Sequence, residues 1–166
     1  MRPIEKGDFG LILYLAQSPG WIQFMPTIRI ESRAEAKDYI EHIHSTNSSY
    51  CHVIEPRDNQ QPIGMVGLNQ RSNEDYPDLG YAVVPDFEGF GYAFEACTLY
   101  LQQLNEFRHS KIIIAVTDPL NHRSVGLLKR LGFRIFRAAN GRKQPYVVYM
   151  LNLRKLAAKN ERPDMS

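Results

Sequence analysis

Cysteine is scarce in this sequence. Its 166 residues hold two, Cys51 in a strand-like run and Cys97 in a helix-like one. A disulfide-stapled scaffold is excluded on that count, and two buried, reduced thiols are expected instead. No apolar run approaches the roughly 20 residues that cross a bilayer. Met1 is followed by Arg-Pro-Ile-Glu-Lys-Gly-Asp, with neither an apolar leader nor a cleavage site, so a cytoplasmic protein with no membrane partner is expected. Charge of one sign is lacking too. Twenty Lys and Arg face eighteen Asp and Glu, a formal net charge of +2. That balance argues against a nucleic-acid partner and leaves a small ligand or short peptide. Metal-ligand spacing is also missing. His42 and His44 lie two apart on a helix and do not share a face, and His52, His109 and His122 are scattered, so no metal site is expected. No Ser or Cys sits in a nucleophile elbow.

What is present is ordinary for one globular domain over 1–166: hydrophobic residues make up 43% and charged residues 23%. Asp8 is a plausible N-cap for a helix over about 9–18, stopped by Ser18-Pro19-Gly20. An unusually apolar loop follows, Trp21–Ile30, whose Trp21, Phe24 and Met25 suit an acceptor pocket as well as a core. Ser32-Arg-Ala-Glu35 is a capping box, and Ala36, Tyr39, Ile40 and Ile43 then recur at helical spacing. Ser49–Glu55 and Pro62–Asn69 form a strand pair around a turn. Leu79–Val84 is apolar on both faces, as in a central strand. Ala93, Ala96, Cys97, Tyr100, Leu101, Leu104 and Phe107 trace one helix face. Ile112–Val116 is a buried strand, Asn121–Leu131 a helix closed by Gly132, and two last strands flank Asn140-Gly141. The tail from 154 to 166 is polar and expected to fray. The order predicts an α/β fold: a mixed, mostly antiparallel sheet of six or seven strands, helices on both faces, and a parallel crossover over 79–116.

The chemistry is expected around Pro85-Asp-Phe-Glu88-Gly89-Phe90-Gly91-Tyr92-Ala93. A strand ends there, a Gly-containing loop follows, and a helix begins. Glycines let a backbone approach a ligand closely. The N–H groups of a first helical turn, with the helix dipole behind them, favour an anion. The loop lacks Gly-Lys-Ser/Thr and is no Walker loop. A plain strand-to-helix turn explains this segment equally well on its own.

A second segment decides between them. Asn121-His-Arg-Ser124 opens the later helix, and Leu131-Gly132-Phe133 closes it. With Leu79-Gly80-Tyr81, Glu88-x-x-Gly91-x-Ala93 and Glu95-Ala96, these residues resemble the GNAT superfamily of N-acetyltransferases. Within it they resemble the ribosomal-protein N-terminal acetyltransferases and their relatives. The match is specific over 78–136 and only topological over 1–77.

The resemblance implies an acetyl-CoA cosubstrate, direct attack by a primary amine of a small molecule or protein N-terminus, and a sheet splayed between its fourth and fifth strands. The pantetheine arm would pair with the backbone of Val83 and Val84. Glu88, Gly89, Phe90, Gly91, Tyr92 and Ala93 would surround the pyrophosphate, Asn121 and Ser124 would orient the arm, and Arg123 would reach the 3′-phosphate. Asp78 is the expected general base, with Glu74 and Asp75 as alternates.

Three departures stand out. Glu88 replaces Gln or Arg. Leu128 stands where many members have the tyrosine that protonates the leaving thiolate, which leaves Ser124 or solvent. The first strand is nearly missing. Glu88 and Leu128 motivate an alternative, an acetyl-CoA sensor or interaction module without efficient turnover. A homodimer remains open.

Overall fold

The computed structural model describes residues 1–46, 50–58, 60–106, 111–140 and 145–154. Ser49, Phe107, His109, Gly141 and the tail beyond 154, each part of an expectation above, lie outside the described residues. The strands are β1 (Arg2–Pro3), β2 (Tyr50–Ile54), β3 (Gly64–Asn69), β4 (Asp78–Val83), β5 (Ile112–Thr117), β6 (Arg134–Asn140) and β7 (Pro145–Asn152). The helices are α1 (Phe9–Ala16), α2 (Pro19–Phe24), α3 (Arg33–Ser45), α4 (Tyr92–Glu106) and α5 (His122–Arg130). Short 3-10 turns cover Lys6–Asp8 and Pro85–Phe87. The strands form one seven-stranded mixed sheet in the order β1-β2-β3-β4-β5-β7-β6.

Contacts divide the chain into two compact units, 1–69 with 80–97, and 70–79 with 98–166. Strand β4 and helix α4 each contribute to both. In the first unit, α1 and α3 pack together. Ile12, Ile40, Val53, Ile63 and Val66 are fully buried there. Burying one such side chain stabilises by roughly 1.5–3 kcal/mol, well above helix propensities of a few tenths, so the apolar stripe decides where each helix docks. Ser32 Oγ accepts from Glu35 N–H while Glu35 Oε2 accepts from Ser32 N–H, so the expected capping box starts α3.

The expected loop after Ser18 is corrected in part. Pro19-Gly20 ends one helix and also starts another, because proline suits the first position of a helix. Ser18 caps α2, accepting from Trp21 N–H. Trp21 is buried, donates Nε1–H to Ile28 C=O at 3.0 Å, and meets Tyr39 edge-on at 6.3 Å. It is a core residue of the first unit, not pocket lining. The short first strand is held by charge. Arg2 donates to both carboxylate oxygens of Asp8 at 2.8 Å and to Glu55 at 3.0 Å.

In the second unit, Tyr100, Leu101, Ile113, Ile114, Leu128 and Leu153 form the core. β5 pairs antiparallel with β7, and β7 with β6. The last strand therefore lies between β5 and its own hairpin partner. β4 and β5 run parallel, as the crossover requires, in the register Asp78↔Ile114. Both cysteines are free thiols, Cys97 buried and Cys51 half-buried.

Candidate active site

The loop that follows β4 is built within the first unit. Val84 closes the strand. Its N–H donates to Ile63 C=O at 2.8 Å, and its carbonyl accepts from Phe87 N–H at 3.0 Å. Pro85 then opens the 3-10 turn, which ends with Glu88 N–H on Pro85 C=O at 3.2 Å. Gly89 and Gly91 both take positive φ, +83° and +92°, a region that glycine enters freely and L-residues enter at a cost. Open space faces both: no heavy atom lies within 4 Å of where a Cβ would stand. The first bond of α4 is Glu95 N–H to Gly91 C=O at 3.0 Å. Helix geometry leaves the N–H groups of the first turn, those of Tyr92 and Ala93 among them, outside the helix's own ladder. A 15-residue helix stands behind them, with its dipole adding positive character at this end.

Side chains hold the loop from outside. Tyr14 Oη donates to Asp86 Oδ2 at 2.9 Å, and Phe87 meets Tyr92 edge-on at 5.9 Å. Phe90, between the two glycines, is 76% exposed. The Glu88 carboxylate lies against the start of α2, 3.9 Å from the point a Gly20 Cβ would occupy. The charge that fits poorly beside a diphosphate therefore has a place beside α2.

Val83 and Val84 do not offer the same thing. Val84 N–H and Ala82 C=O both face the β3 side, the latter lying against the point a Cβ on Gly64 would occupy. Successive residues of a strand alternate, so Tyr81 and Val83 turn their backbone groups to the opposite edge. Val84 already uses its N–H and its carbonyl, so of the two valines only Val83 has the phase that pairing with a ligand would need.

In the second unit Asn121 caps α5. Its Oδ1 accepts from Ser124 N–H at 3.1 Å, which leaves the amide NH₂ as a donor. Arg123 is exposed and Ser124 half-buried. Leu128 is 1% exposed, a core residue with no room for a tyrosine in its place.

Asp78 is also in this unit and is buried at 3% exposure. Oδ2 accepts from Arg71 Nε at 2.6 Å and Oδ1 from Val116 N–H at 3.0 Å. Burial pushes its carboxyl up from the usual value, against the opposing pull of Arg71 and the Val116 N–H. Glu74, the first alternate base, bonds Arg137, and Arg137 stacks on Tyr146 at 5.9 Å. Asp75, the second alternate, is exposed. Arg71 and Arg137 escaped the sequence reading. The signal for Arg71 lay in Asp78 itself, since a carboxylate in a buried strand needs a cation or N–H partners.

Residues 1–134 match the profile of the acetyltransferase (GNAT) domain. The chain belongs to the GNAT acetyltransferases. The [ribosomal protein uS5]-alanine N-acetyltransferase of Escherichia coli is 27% identical over 137 residues, 78% of this chain and 71% of that protein. Spermidine N-acetyltransferase from Vibrio cholerae, solved with CoA and spermine, superposes with a TM-score of 0.79 at 22% identity, covering 94% of this chain and 96% of that one. The ribosomal-protein-S5-alanine acetyltransferase of Vibrio fischeri gives a TM-score of 0.69 at 18% identity, covering 91% of each chain.

As a GNAT domain, the chain is expected to hold acetyl-CoA, and its own loop fits that group. A diphosphate needs clustered donors and closely approaching backbone. The first-turn amides of α4 and the open faces of Gly89 and Gly91 provide both. No helix of the described residues is long and apolar enough to cross a membrane.

Proposed function

We propose that this GNAT domain, acting as one unit over 1–166, transfers the acetyl group of acetyl-CoA to a primary amine. The observation that carries the reading is the loop at the head of α4, where Gly89 and Gly91 take positive φ and face open space beside the first-turn N–H groups of the helix. In this reading they hold the pyrophosphate, with Glu88 and Phe90 flanking it. Val83 pairs with the pantetheine arm through its free edge. The Asn121 NH₂ and the Ser124 hydroxyl orient the arm near its sulfur, and the exposed Arg123 meets the 3′-phosphate.

The chemistry is one displacement. The amine nitrogen bonds to the thioester carbonyl carbon, the carbon–sulfur bond breaks, and the thiolate takes a proton. With Leu128 in the core, that proton comes from Ser124 or water. A lysine-like amine has a pKa of about 10.4, so it must arrive neutral or lose its proton on the way. Asp75, exposed beside Tyr76, and solvent are open to receive it. Charge that grows on the thioester oxygen is met by a backbone N–H of β4. The acceptor class follows the relatives, a protein N-terminal amine or a polyamine. We place the protein in the cytoplasm and leave a homodimer as part of the same reading.

Calorimetry tests the first half: acetyl-CoA and CoA should both bind, and silence from both at millimolar concentration sinks the proposal. Thiol release across N-terminal peptides, polyamines and aminoglycosides tests the second. The buried Leu128 favours one other reading, a sensor that binds acetyl-CoA without efficient turnover. Robust thiol release with any acceptor removes it.

A further inference from the structure

The parallel pairing of β4 with β5 stops early, and a side chain stops it. In a parallel ladder a residue receives a bond from one position on its neighbour and returns it two positions on. Ile114 N–H donates to Pro77 C=O at 3.0 Å, and the register contains Asp78↔Ile114. The next step of the ladder is Leu79 with Ala115, and it requires Val116 N–H to reach the Leu79 carbonyl. That pair is absent from the register. Val116 N–H donates instead to Asp78 Oδ1 at 3.0 Å. The carboxylate thus takes the bond that would have prolonged the ladder. Its other oxygen is fixed by Arg71 Nε at 2.6 Å, so the side chain cannot turn away.

We propose that Asp78, fixed by Arg71, is a positioning residue that ends the β4–β5 ladder and thereby leaves the Leu79 carbonyl free for the pantetheine arm. The inference rests on the acetyl-CoA reading of β4. It assigns Asp78 a different task from the expected general base. A base must be open to the amine, and Asp78 is buried at 3% exposure with a donor already on each oxygen. The same commitment is what a strand separator requires. A buried Val116 N–H without an acceptor is unfavourable, so whichever group accepts it decides whether the ladder continues.

Two variants separate the roles. Asp78→Asn keeps one oxygen for Val116, exchanges the oxygen that accepts from Arg71 for an NH₂ donor, and removes the titratable group. Asp78→Ala removes the acceptor, so Val116 N–H can return to Leu79. For a positioning residue, Asp78→Asn binds CoA within about threefold of wild type and its pH–rate profile keeps its acidic limb. Asp78→Ala loses at least about tenfold in CoA affinity, the worth of roughly one hydrogen bond. A general base gives the reverse pattern: equal CoA affinity in both variants, with Asp78→Asn losing about a hundredfold or more in turnover along with the acidic limb. That outcome overturns the proposal. A third readout needs neither ligand nor turnover. The through-hydrogen-bond coupling of the Val116 amide nitrogen is expected to the Asp78 side-chain carbon in wild type, and to the same carbon of the side-chain amide in Asp78→Asn. Coupling to the Leu79 carbonyl carbon in wild type overturns the proposal even if Asp78→Ala fails to fold. If wild type binds no CoA but shows the Asp78 coupling, the acetyl-CoA reading fails while the strand-ending role survives.

Discussion

At the scale of single residues, the loop after β4 turns on two glycines whose backbones an L-residue enters only with strain. Gly91→Glu places a carboxylate in the open space that faces the Gly91 position and adds a left-handed φ cost of roughly 1–2 kcal/mol. CoA affinity is expected to fall at least about a hundredfold, through lost access and like charge beside the diphosphate. The far-ultraviolet circular dichroism should stay that of wild type. Calorimetry on the folded variant checks this, and wild-type affinity would put the phosphates elsewhere. The thiols follow from burial alone. Burial pushes Cys97 up to about 12, and burial with the nearby Asp8 charge pushes Cys51 up to about 12. Neither is a reactive nucleophile at neutral pH. The sequence had placed both inside for the same reason, an apolar neighbourhood at the right period.

At the scale of elements, short pieces are held by specific polar contacts more than by their length. β1 has two residues and is anchored by Arg2 on Asp8 and Glu55. Burial alone would push the Asp8 carboxyl up, but the Arg2 guanidinium and the Glu5 N–H outweigh it and hold it below its usual value. A lowered folded pKa means stability that is present above the unfolded value of about 3.9 and lost as pH falls through the folded one. Asp8→Asn should therefore be less stable than wild type at pH 7, by about 1–3 kcal/mol, with the gap closing below about pH 4. Melting temperatures of both proteins across that range check the sign. A gap that stays constant would mean the contact is not electrostatic. α2 shows the reverse problem for sequence reading. Pro19-Gly20 was legible as a stop, yet Ser18 and Pro19 also start a helix, and only the burial of Trp21 selects that use.

For the whole molecule, a ligand that binds only the folded chain must raise its stability. Acetyl-CoA at a hundredfold excess over its dissociation constant should add about 2.7 kcal/mol, seen as a higher melting temperature. Gly91→Glu should lose that shift. ATP giving the same shift would point to a general phosphate site instead of a CoA site. The net charge of +2 offers little steering, so the shift should depend only weakly on salt beyond the diphosphate contacts.

The sequence by itself determined the elements with strong local chemistry. Ser32 and Glu35 start α3, Asn121 starts α5, and Gly89 and Gly91 shape the loop before α4, because caps and positive φ are decided within a few residues. The parallel crossover was legible too, since a strand, a helix and a strand in sequence admit few connections. What the sequence left open was decided by partners far along the chain. Asp78 read as the expected general base. Only the fold brought Arg71 and the Val116 N–H to it, and so changed a candidate base into a group with both oxygens bound. Val83 and Val84 looked alike, and only the fold separated Val84, whose N–H bonds Ile63 and whose carbonyl bonds Phe87, from Val83. Local propensity depends on neighbours in sequence, whereas hydrogen-bond partners and burial depend on neighbours in space, which the tertiary structure alone supplies.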